Sequence, residues 1–137
     1  MIDQTDIEIL KLLESNSKMQ LQEIGVIVHL TGQAVKNRII RLEKLGIIEG
    51  YTVRINQARL GREITAFITV FMKNTNHAAF HKFVKDSISI SEVHRISGEG
   101  CYLLKASVEN QQELTDLLDS ILPYGNYKVN LSIGKLK

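Results

Sequence analysis

The sequence predicts an α+β protein of two domains, and three observations lead to that prediction. Residues 1–45 carry apolar residues at helical spacing in three successive short segments. From residue 64 onward, alternating and β-branched stretches are interleaved with two further segments of helical spacing. Glycine and polar turn residues separate these segments. We therefore expect a (winged) helix-turn-helix domain over 1–50, a β linker over 51–62, and a C-terminal βαββαβ domain of ferredoxin-like topology over 63–137.

The first two helices are predicted from short apolar stripes. The first stripe consists of Ile7, Leu10 and Leu13, and acidic residues near its start suit a helix N-terminus. The second stripe consists of Leu21, Ile24 and Val28, and Leu30 follows in the turn. Gly25 lies on the second helix, where a missing side chain either permits a close approach or is simply tolerated.

The third helix, over Gln33–Leu45, separates into an apolar and a polar arc. Thr31 is placed to cap its N-terminus, and Gly46 to end it in the left-handed conformation. The apolar arc consists of Ala34, Val35, Ile39, Leu42 and Leu45. The opposite arc consists of Gln33, Lys36, Asn37, Ile40, Arg41 and Lys44. Amide and cationic side chains of this kind read base edges and hold phosphates when a helix lies in the DNA major groove.

We therefore predict that the chain binds double-stranded DNA through the third helix. The candidate DNA-binding residues are Thr31, Gln33, Lys36, Asn37, Arg38, Arg41 and Lys44. Arg38 differs from the others because it projects onto the apolar arc. There it would either pair with a carboxylate of the first helices or extend to a phosphate. A solvated surface helix that never contacts DNA is the plainer alternative for this pattern.

The positive charge is focused on this helix. Residues 31–45 carry four Lys or Arg side chains and one Glu, whereas residues 1–50 carry six against seven acidic residues. The whole chain has a net charge of only +2. A protein that coats DNA non-specifically usually carries more positive charge. Because one such helix makes few phosphate contacts, we expect a dimer that places two helices about one DNA turn apart.

Composition limits the other function classes. No apolar run reaches the about 20 residues of a membrane span, and no signal peptide is apparent, so we expect a cytoplasmic protein with no membrane partner. Cys101 is the single cysteine, which excludes an internal disulfide. No nucleophile with a base, no phosphate loop and no carboxylate pair stands out. We therefore expect neither enzymatic activity nor a cofactor.

The C-terminal elements follow from the spacing of apolar residues. Ile47–Asn56 alternates enough for a short strand or hairpin, closed by Ala58–Gly61. Further strands are expected over Ile64–Phe71, Val93–Ser97, Cys101–Val108 and Tyr127–Ile133, and helices over Ala78–Ser87 and Glu113–Leu122. This order packs both helices on one face of the sheet. Strands such as ITAFITVF would leave the other face apolar, so we expect a second subunit to cover it.

A set of spaced residues runs through both halves of the chain. It comprises Asp3, Asp6, Ile9-Leu10, Leu13, Ile24-Gly25, Leu30-Thr31, Val35, Arg38, Leu42-Glu43, Gly46, Ile48, Tyr51 and Leu60-Gly61. With these residues the chain resembles the Lrp/AsnC (feast/famine) family of transcription regulators over essentially its whole length. The resemblance implies a C-terminal RAM-type module that forms a homodimer and then tetramers or octamers. It also implies transcriptional control modulated by small amino acids.

The resemblance places the effector site near one turn of the C-terminal half. The candidate effector-binding residues are Ser97, Gly98, Glu99, Gly100 and Cys101. The family pattern there is Gly-x-aromatic-Asp-aromatic; Gly98 and Tyr102 match it, whereas Gly100 replaces the first aromatic residue and Cys101 replaces the aspartate. An amino-acid ammonium group then lacks its counter-charge unless Glu99 supplies it, so ordinary amino acids are expected to bind weakly or not at all. A tight hairpin without a ligand is the plain alternative.

Other functions stay open as alternatives. An architectural protein that bends or wraps DNA without an effector would share the cationic helix. An enzyme built on the C-terminal sandwich would leave that helix unexplained. His77 and His81, four residues apart, would suit a metal, but no third ligand is evident beyond a distant His94, so no metal site is expected. The sequence favours a sequence-specific DNA-binding transcriptional regulator that acts as a dimer or higher oligomer.

Overall fold

The computed structural model describes residues 1–137, which divide into two compact units, Met1–Arg54 and Ile55–Lys137. The helices are α1 (Gln4–Ser15), α2 (Leu21–Val28), α3 (Gly32–Lys44), α4 (His77–Asp86) and α5 (Gln111–Ile121), with a 3-10 helix at Gln57–Leu60. The strands are β1 (Ile64–Met72), β2 (Ile90–Arg95), β3 (Tyr102–Val108) and β4 (Gly125–Leu131). The boundary between the units falls within the predicted linker. No helix has the length and apolar character needed to cross a membrane.

The N-terminal unit packs its three helices around a small apolar cluster. The buried members are Ile9, Ile24, Val28, Val35 and Ile39. The predicted stripe on α1 was partly wrong, because Ile7 is 38% exposed whereas Ile9 is fully buried. A capping box explains the shift: Asp3 accepts from the Asp6 N–H, and Asp6 accepts from the Asp3 N–H. This start turns Asp6 inward, and Ile9 follows it on the same helix face.

The turn between α2 and α3 explains the glycine on α2. The Leu30 N–H donates to the Gly25 carbonyl oxygen at 2.9 Å. A Cβ added at Gly25 would lie 2.3 Å from the Leu30 carbonyl oxygen, so no side chain fits there. His29 ends α2 in the left-handed conformation, with φ at 60°. Gly25 therefore serves the close approach of the turn backbone, which is the first of the two interpretations of this residue.

The C-terminal unit has the predicted βαββαβ order. Its four-stranded sheet has the order β2-β3-β1-β4, and all neighbouring strands are antiparallel. In the register, Ile68 of β1 pairs with Leu104 of β3 on one side and with Val129 of β4 on the other. The helices α4 and α5 pack on the face that carries these residues, with Phe80 and Ile121 fully buried in the same core. The α+β fold class is confirmed.

The sheet face away from the helices is mixed rather than apolar, which corrects the expected apolar patch. Phe67 is exposed on this face, and its partners in the register are Lys105 and Asn130. Thr69 has Leu103 and Lys128 as its partners. On this face β1 carries Phe67 and Phe71, and β3 adds Leu103, whereas the residues that β4 presents there are polar. The open face therefore presents a narrow apolar strip with polar margins.

The predicted strand or hairpin over Ile47–Asn56 is absent. Residues 49–56 form no strand, and Tyr51, Val53 and Ile55 are exposed. A strand requires a hydrogen-bonding neighbour, and the N-terminal unit contains no other strand to supply one. The segment predicted to close the hairpin forms the 3-10 helix, which ends at Gly61 with φ at 89°.

Candidate nucleic-acid interface

The helix α3 is fixed at its start by a cap and along its length by buried residues. The Thr31 hydroxyl accepts from the Ala34 N–H at 3.1 Å, which confirms the predicted cap. Val35, Ile39 and Leu42 are buried on one side of the helix. Leu45, expected on that side, is exposed because the helix ends at Lys44. Because these residues are buried, the opposite side of α3 faces solvent.

The exposed side of α3 carries the predicted polar arc. Its exposed polar members are Gln33, Lys36, Asn37 and Lys44. The Gln33 amide nitrogen donates to the Asn37 side-chain oxygen at 3.0 Å, which aligns the two amides along one helix face. The Gln33 oxygen and the Asn37 amide group remain free to bond elsewhere. Lys36 and Lys44 form no ion pair within the chain.

Arg38 is held by acidic residues of the first helix. Its Nη1 lies 2.8 Å from both carboxylate oxygens of Asp3 and 3.0 Å from Asp6 Oδ1. Asp6 is fully buried, and the Arg38 side chain is 30% exposed. The pKa of Asp3 is lowered from 3.8 to about 2. The largest cause is the hydrogen bond from Arg38, and the second is the hydrogen bond from the Asp6 N–H. Of the two roles considered for Arg38, the structure shows the pairing with a carboxylate.

Arg41 is also engaged by the first helix, although it projects onto the polar arc. Its Nη1 lies 3.3 Å from Asp6 Oδ2, and its Nη2 donates to the Met1 carbonyl oxygen. The buried Asp6 carboxylate thus lies between two guanidinium groups and also accepts a backbone N–H. The sequence analysis missed Asp6 as an interior residue. Two features of the sequence indicate that Asp6 lies inside: Asp3 and Asp6 have the spacing of a capping box, and Asp6 is three residues before Ile9, on the same face of the helix.

The predicted effector turn has a defined backbone. Gly98 and Gly100 adopt φ of 92° and 91°. The Cys101 N–H donates to the Val70 carbonyl oxygen at 2.8 Å, and its own carbonyl accepts from Ile96 at 3.0 Å. A Cβ at Gly100 would lie 2.4 Å from the Thr69 methyl group, so an aromatic side chain does not fit this backbone. The departure from the family pattern is therefore built into the shape of the turn.

The free groups of the turn lie on its exposed part. Ser97, Gly98 and Glu99 are exposed, whereas Gly100 and Cys101 are half-buried. The backbone N–H groups of residues 98–100 make no backbone hydrogen bond within the chain. A surface concavity of about 450 Å³ lies elsewhere in the unit, and it is lined by Ala79, Lys82, Phe83, Asp86, Ser87 and Tyr124. The turn thus offers backbone donors without an enclosing pocket in the single chain.

Comparison with known proteins identifies both units. Residues 2–43 match the AsnC-type helix-turn-helix domain, and residues 65–137 match the Lrp/AsnC ligand binding domain. The chain is 45% identical to the HTH-type transcriptional regulator LrpB of Bacillus subtilis, over 99% of this chain and 91% of that protein. It is 35% identical to LrpA of the same organism, over 98% of this chain and 100% of that protein.

Solved structures agree with the sequence relatives. The structure of B. subtilis LrpC superposes with a TM-score of 0.95 and 26% identity, covering 100% of this chain and 98% of that chain. An L-Met complex of the transcriptional regulator NMB0573 from Neisseria meningitidis has the same fold, with a TM-score of 0.92 and 24% identity over 100% of this chain and 93% of that one. The chain therefore belongs to the Lrp/AsnC family of transcriptional regulators, with a helix-turn-helix DNA-binding domain and a ligand-binding domain.

Proposed function

We propose that the protein is a sequence-specific transcriptional regulator that binds duplex DNA through α3, as a dimer or higher oligomer, and responds to an amino acid or a related small molecule. The observation that carries the proposal is the exposed side of α3. This side presents an aligned amide pair, Gln33 and Asn37, together with two lysines that form no ion pair, Lys36 and Lys44. Amides read adenine edges, and lysines hold phosphates, when such a helix lies in the major groove.

The candidate residues divide into three groups in this proposal. Gln33 and Asn37 contact base edges, and Lys36 and Lys44 contact phosphates. Thr31 holds the start of the helix in place because its hydroxyl oxygen accepts a hydrogen bond from the Ala34 N–H. Arg38 and Arg41 act mainly by fixing α1 against α3, since their guanidinium groups already bond to Asp3 and Asp6. Their remaining N–H donors contribute at most to the phosphate contacts.

Selection of binding sites from a genomic library, followed by titration, tests the DNA-binding proposal. Replacing Asn37 or Gln33 by alanine should cost roughly 1–3 kcal/mol on the selected site and little on random DNA, because base contacts carry the specificity. Gln112→Ala is a matched control, since Gln112 also donates to a side chain four residues on, Asp116 at 2.9 Å, from the exposed face of α5 in the other unit. Parent-like binding of both α3 variants to the selected site would show that the groove assignment is wrong.

Two features of the single chain support assembly. Phe67 is exposed on the open sheet face, and residues 51–56 form no strand and are exposed, including the large apolar side chains of Tyr51, Val53 and Ile55. A second copy that covers the sheet face and packs on residues 51–56 would bury these apolar side chains. Two copies would also double the phosphate contacts of a chain that carries little net charge.

Light scattering of the full chain tests assembly. We expect a dimer or larger species at micromolar concentration, and a lower mass for Phe67→Asp, because a buried carboxylate would face the partner. Ile88→Asp is the control, since Ile88 is exposed but lies outside the sheet. A folded monomeric parent, or a Phe67→Asp variant with unchanged mass, would contradict this part of the proposal.

The effector part rests on the ligand-binding domain and on the turn at residues 97–101. The N. meningitidis neighbour is a complex with L-Met, which supports an effector of this chemical class. The Gly98–Gly100 N–H groups can receive a carboxylate. Cys101, however, offers no negative charge to the ammonium group of an amino acid. A resulting loss of about 3 kcal/mol of binding free energy would weaken binding more than a hundredfold. We therefore expect a related molecule rather than an ordinary amino acid such as leucine.

Calorimetry with the twenty amino acids tests this expectation. The parent should bind them weakly or not at all, and Cys101→Asp should bind at least one of them more tightly. Cys101→Ser controls for loss of the thiol without adding charge. A micromolar constant for any ordinary amino acid with the parent would show that Glu99 or backbone carbonyls already supply the missing contact.

A further inference from the structure

Two histidines of α4 and one tyrosine of β3 bring three donor atoms together. His77 Nδ1 lies 2.6 Å from the Tyr102 hydroxyl oxygen, and His81 Nε2 lies 2.9 Å from the same oxygen. The two histidines are one helical turn apart and therefore share a face of α4. His94, which the sequence offered as a third partner, instead lies 3.0 Å from Glu92 Oε1. The third donor is thus a phenol that sequence spacing did not reveal.

The phenol is fixed, whereas the imidazoles lie at the surface. Tyr102 is 2% exposed, and its ring packs on Phe80 with a centroid separation of 4.7 Å. His77 is half-buried and His81 is exposed. The hydroxyl therefore has a defined position, and the side of the cluster toward His81 is open to water. An incoming ion would need no rearrangement of the core.

The donor set suits a divalent transition-metal ion. Within the hydrogen-bonded cluster the hydroxyl donates to one ring nitrogen and accepts from the N–H of the other. Imidazole nitrogens are ligands for zinc, copper, iron and nickel. Metal–ligand bonds of about 2.0–2.1 Å in a tetrahedral site place neighbouring donors about 3.4 Å apart. The observed nitrogen–oxygen separations of 2.6 and 2.9 Å must therefore widen by less than about 1 Å, which small rotations of the surface imidazoles provide.

We propose that His77, His81 and Tyr102 form a binding site for a divalent transition-metal ion such as Zn²⁺ or Cu²⁺. Both imidazoles bind in the neutral form, the phenol hydroxyl releases its proton to solvent, and water completes the coordination. The neighbouring charges limit the affinity. Arg95 is the register partner of Tyr102, whereas Lys82 pairs with Asp86 at 3.0 Å. With Arg95 beside Tyr102 and no Asp or Glu grouped with the two histidines, we expect micromolar rather than tighter binding.

The site joins α4 to β3, the strand that follows the predicted effector turn. Tyr102 begins β3 directly after residues 97–101, and both histidines lie on α4. A bound ion would therefore link α4 to the strand that follows the turn. Because the ion binds the folded state, it should also raise the melting temperature of the chain.

Calorimetric titration of the full chain with zinc chloride tests the proposal. The parent should bind one ion per chain with release of protons, whereas His77→Gln and His81→Gln should each bind at least tenfold more weakly. His94→Gln is the control and should bind like the parent. With copper chloride, the parent should show a visible phenolate-to-copper charge-transfer band, and Tyr102→Phe, which keeps the ring on Phe80, should lack it.

Several results would overturn the proposal. They are no zinc binding by the parent, parent-like zinc affinity of both histidine variants, or an unchanged copper spectrum of Tyr102→Phe. Circular dichroism of each variant checks its folding first. If Tyr102→Phe does not fold, His81→Gln decides alone, because His81 is an exposed surface residue whose replacement leaves the core intact.

Discussion

The C-terminal unit packs thirteen buried side chains into one core, whereas the buried cluster of the N-terminal unit has five. The smaller unit adds a fully buried carboxylate, Asp6, held between Arg38 and Arg41. Apolar burial is non-directional, but the geometry of a paired carboxylate is specific. The comparison indicates that the position of α3 relative to α1 depends on charged groups, while the sheet and its helices depend on apolar volume.

The largest effect should come from the apolar core of the C-terminal unit. Leu104 is fully buried in the centre of that core. Leu104→Ala should lower the free energy of unfolding of this unit by about 2–5 kcal/mol, from lost burial and the remaining cavity. Urea denaturation followed by circular dichroism measures it. Leu131→Ala, at an exposed position of the same sheet, is the control, and equal effects of both variants would contradict this description of the core.

The matching change in the N-terminal unit removes the charge of Asp6. Asp6→Asn should destabilise this unit by about 3 kcal/mol, the lower end of the range for a broken buried pair. The lower end applies because the Arg38 and Arg41 side chains are 30% and 40% exposed and can turn to water. Thermal unfolding measures the loss, with Glu8→Gln on the exposed side of α1 as the control. A parent-like melting curve for Asp6→Asn would contradict the claim that the N-terminal unit depends on its buried charged groups.

A smaller loss is expected at the turn between α2 and α3. Gly25→Ala should cost about 1–3 kcal/mol, because its Cβ would overlap the Leu30 carbonyl oxygen. Gly32→Ala is a close control, since its Cβ would meet no atom nearer than 3.5 Å. Chemical denaturation of both variants tests the difference. Equal stabilities would show that the turn can relax around a methyl group.

The smallest effect concerns the charge of Asp3. Its pKa is about 2 in the folded chain and 3.8 for the unperturbed group, so the stability it contributes is present above pH 4 and is lost as the pH falls through about 2. Asp3→Asn keeps an N-cap side chain but has no charge. The difference in melting temperature between parent and variant should therefore be constant above pH 4 and shrink toward pH 2. A difference that does not change over this range would exclude the ion pair as its cause.

The two units also differ in how much of them the sequence could predict. In the C-terminal unit each element shows its buried face in its own apolar spacing, so the βαββαβ order was predictable. The start of β2 was not: it begins at Ile90 rather than Val93, because a register shift between Ile90 and Glu92 interrupts the alternation.

The missed features of the N-terminal unit depend on contacts distant in sequence. Helical projection predicted the arcs of α3, but it could not show that Arg41 meets Asp6, 35 residues away. Nor could alternation show that residues 49–56 lack a strand partner within the chain. In the same way, the position of Tyr102 beside two histidines depends on how α4 packs on β3.

In the proposed function, Lys36 and Lys44 contact phosphates, whereas Arg38 and Arg41 pair with carboxylates of the N-terminal unit. One titration tests the part of Lys36. The DNA affinity of Lys36→Ala for the selected site should be measured over a range of salt concentrations. The slope of log affinity against log salt should fall by about 1 for each copy of α3 on the DNA, since one phosphate contact is lost per helix. Lys82→Ala, an exposed lysine of the other unit, should keep the parent slope. A parent slope for Lys36→Ala would contradict the proposed DNA-binding side of α3.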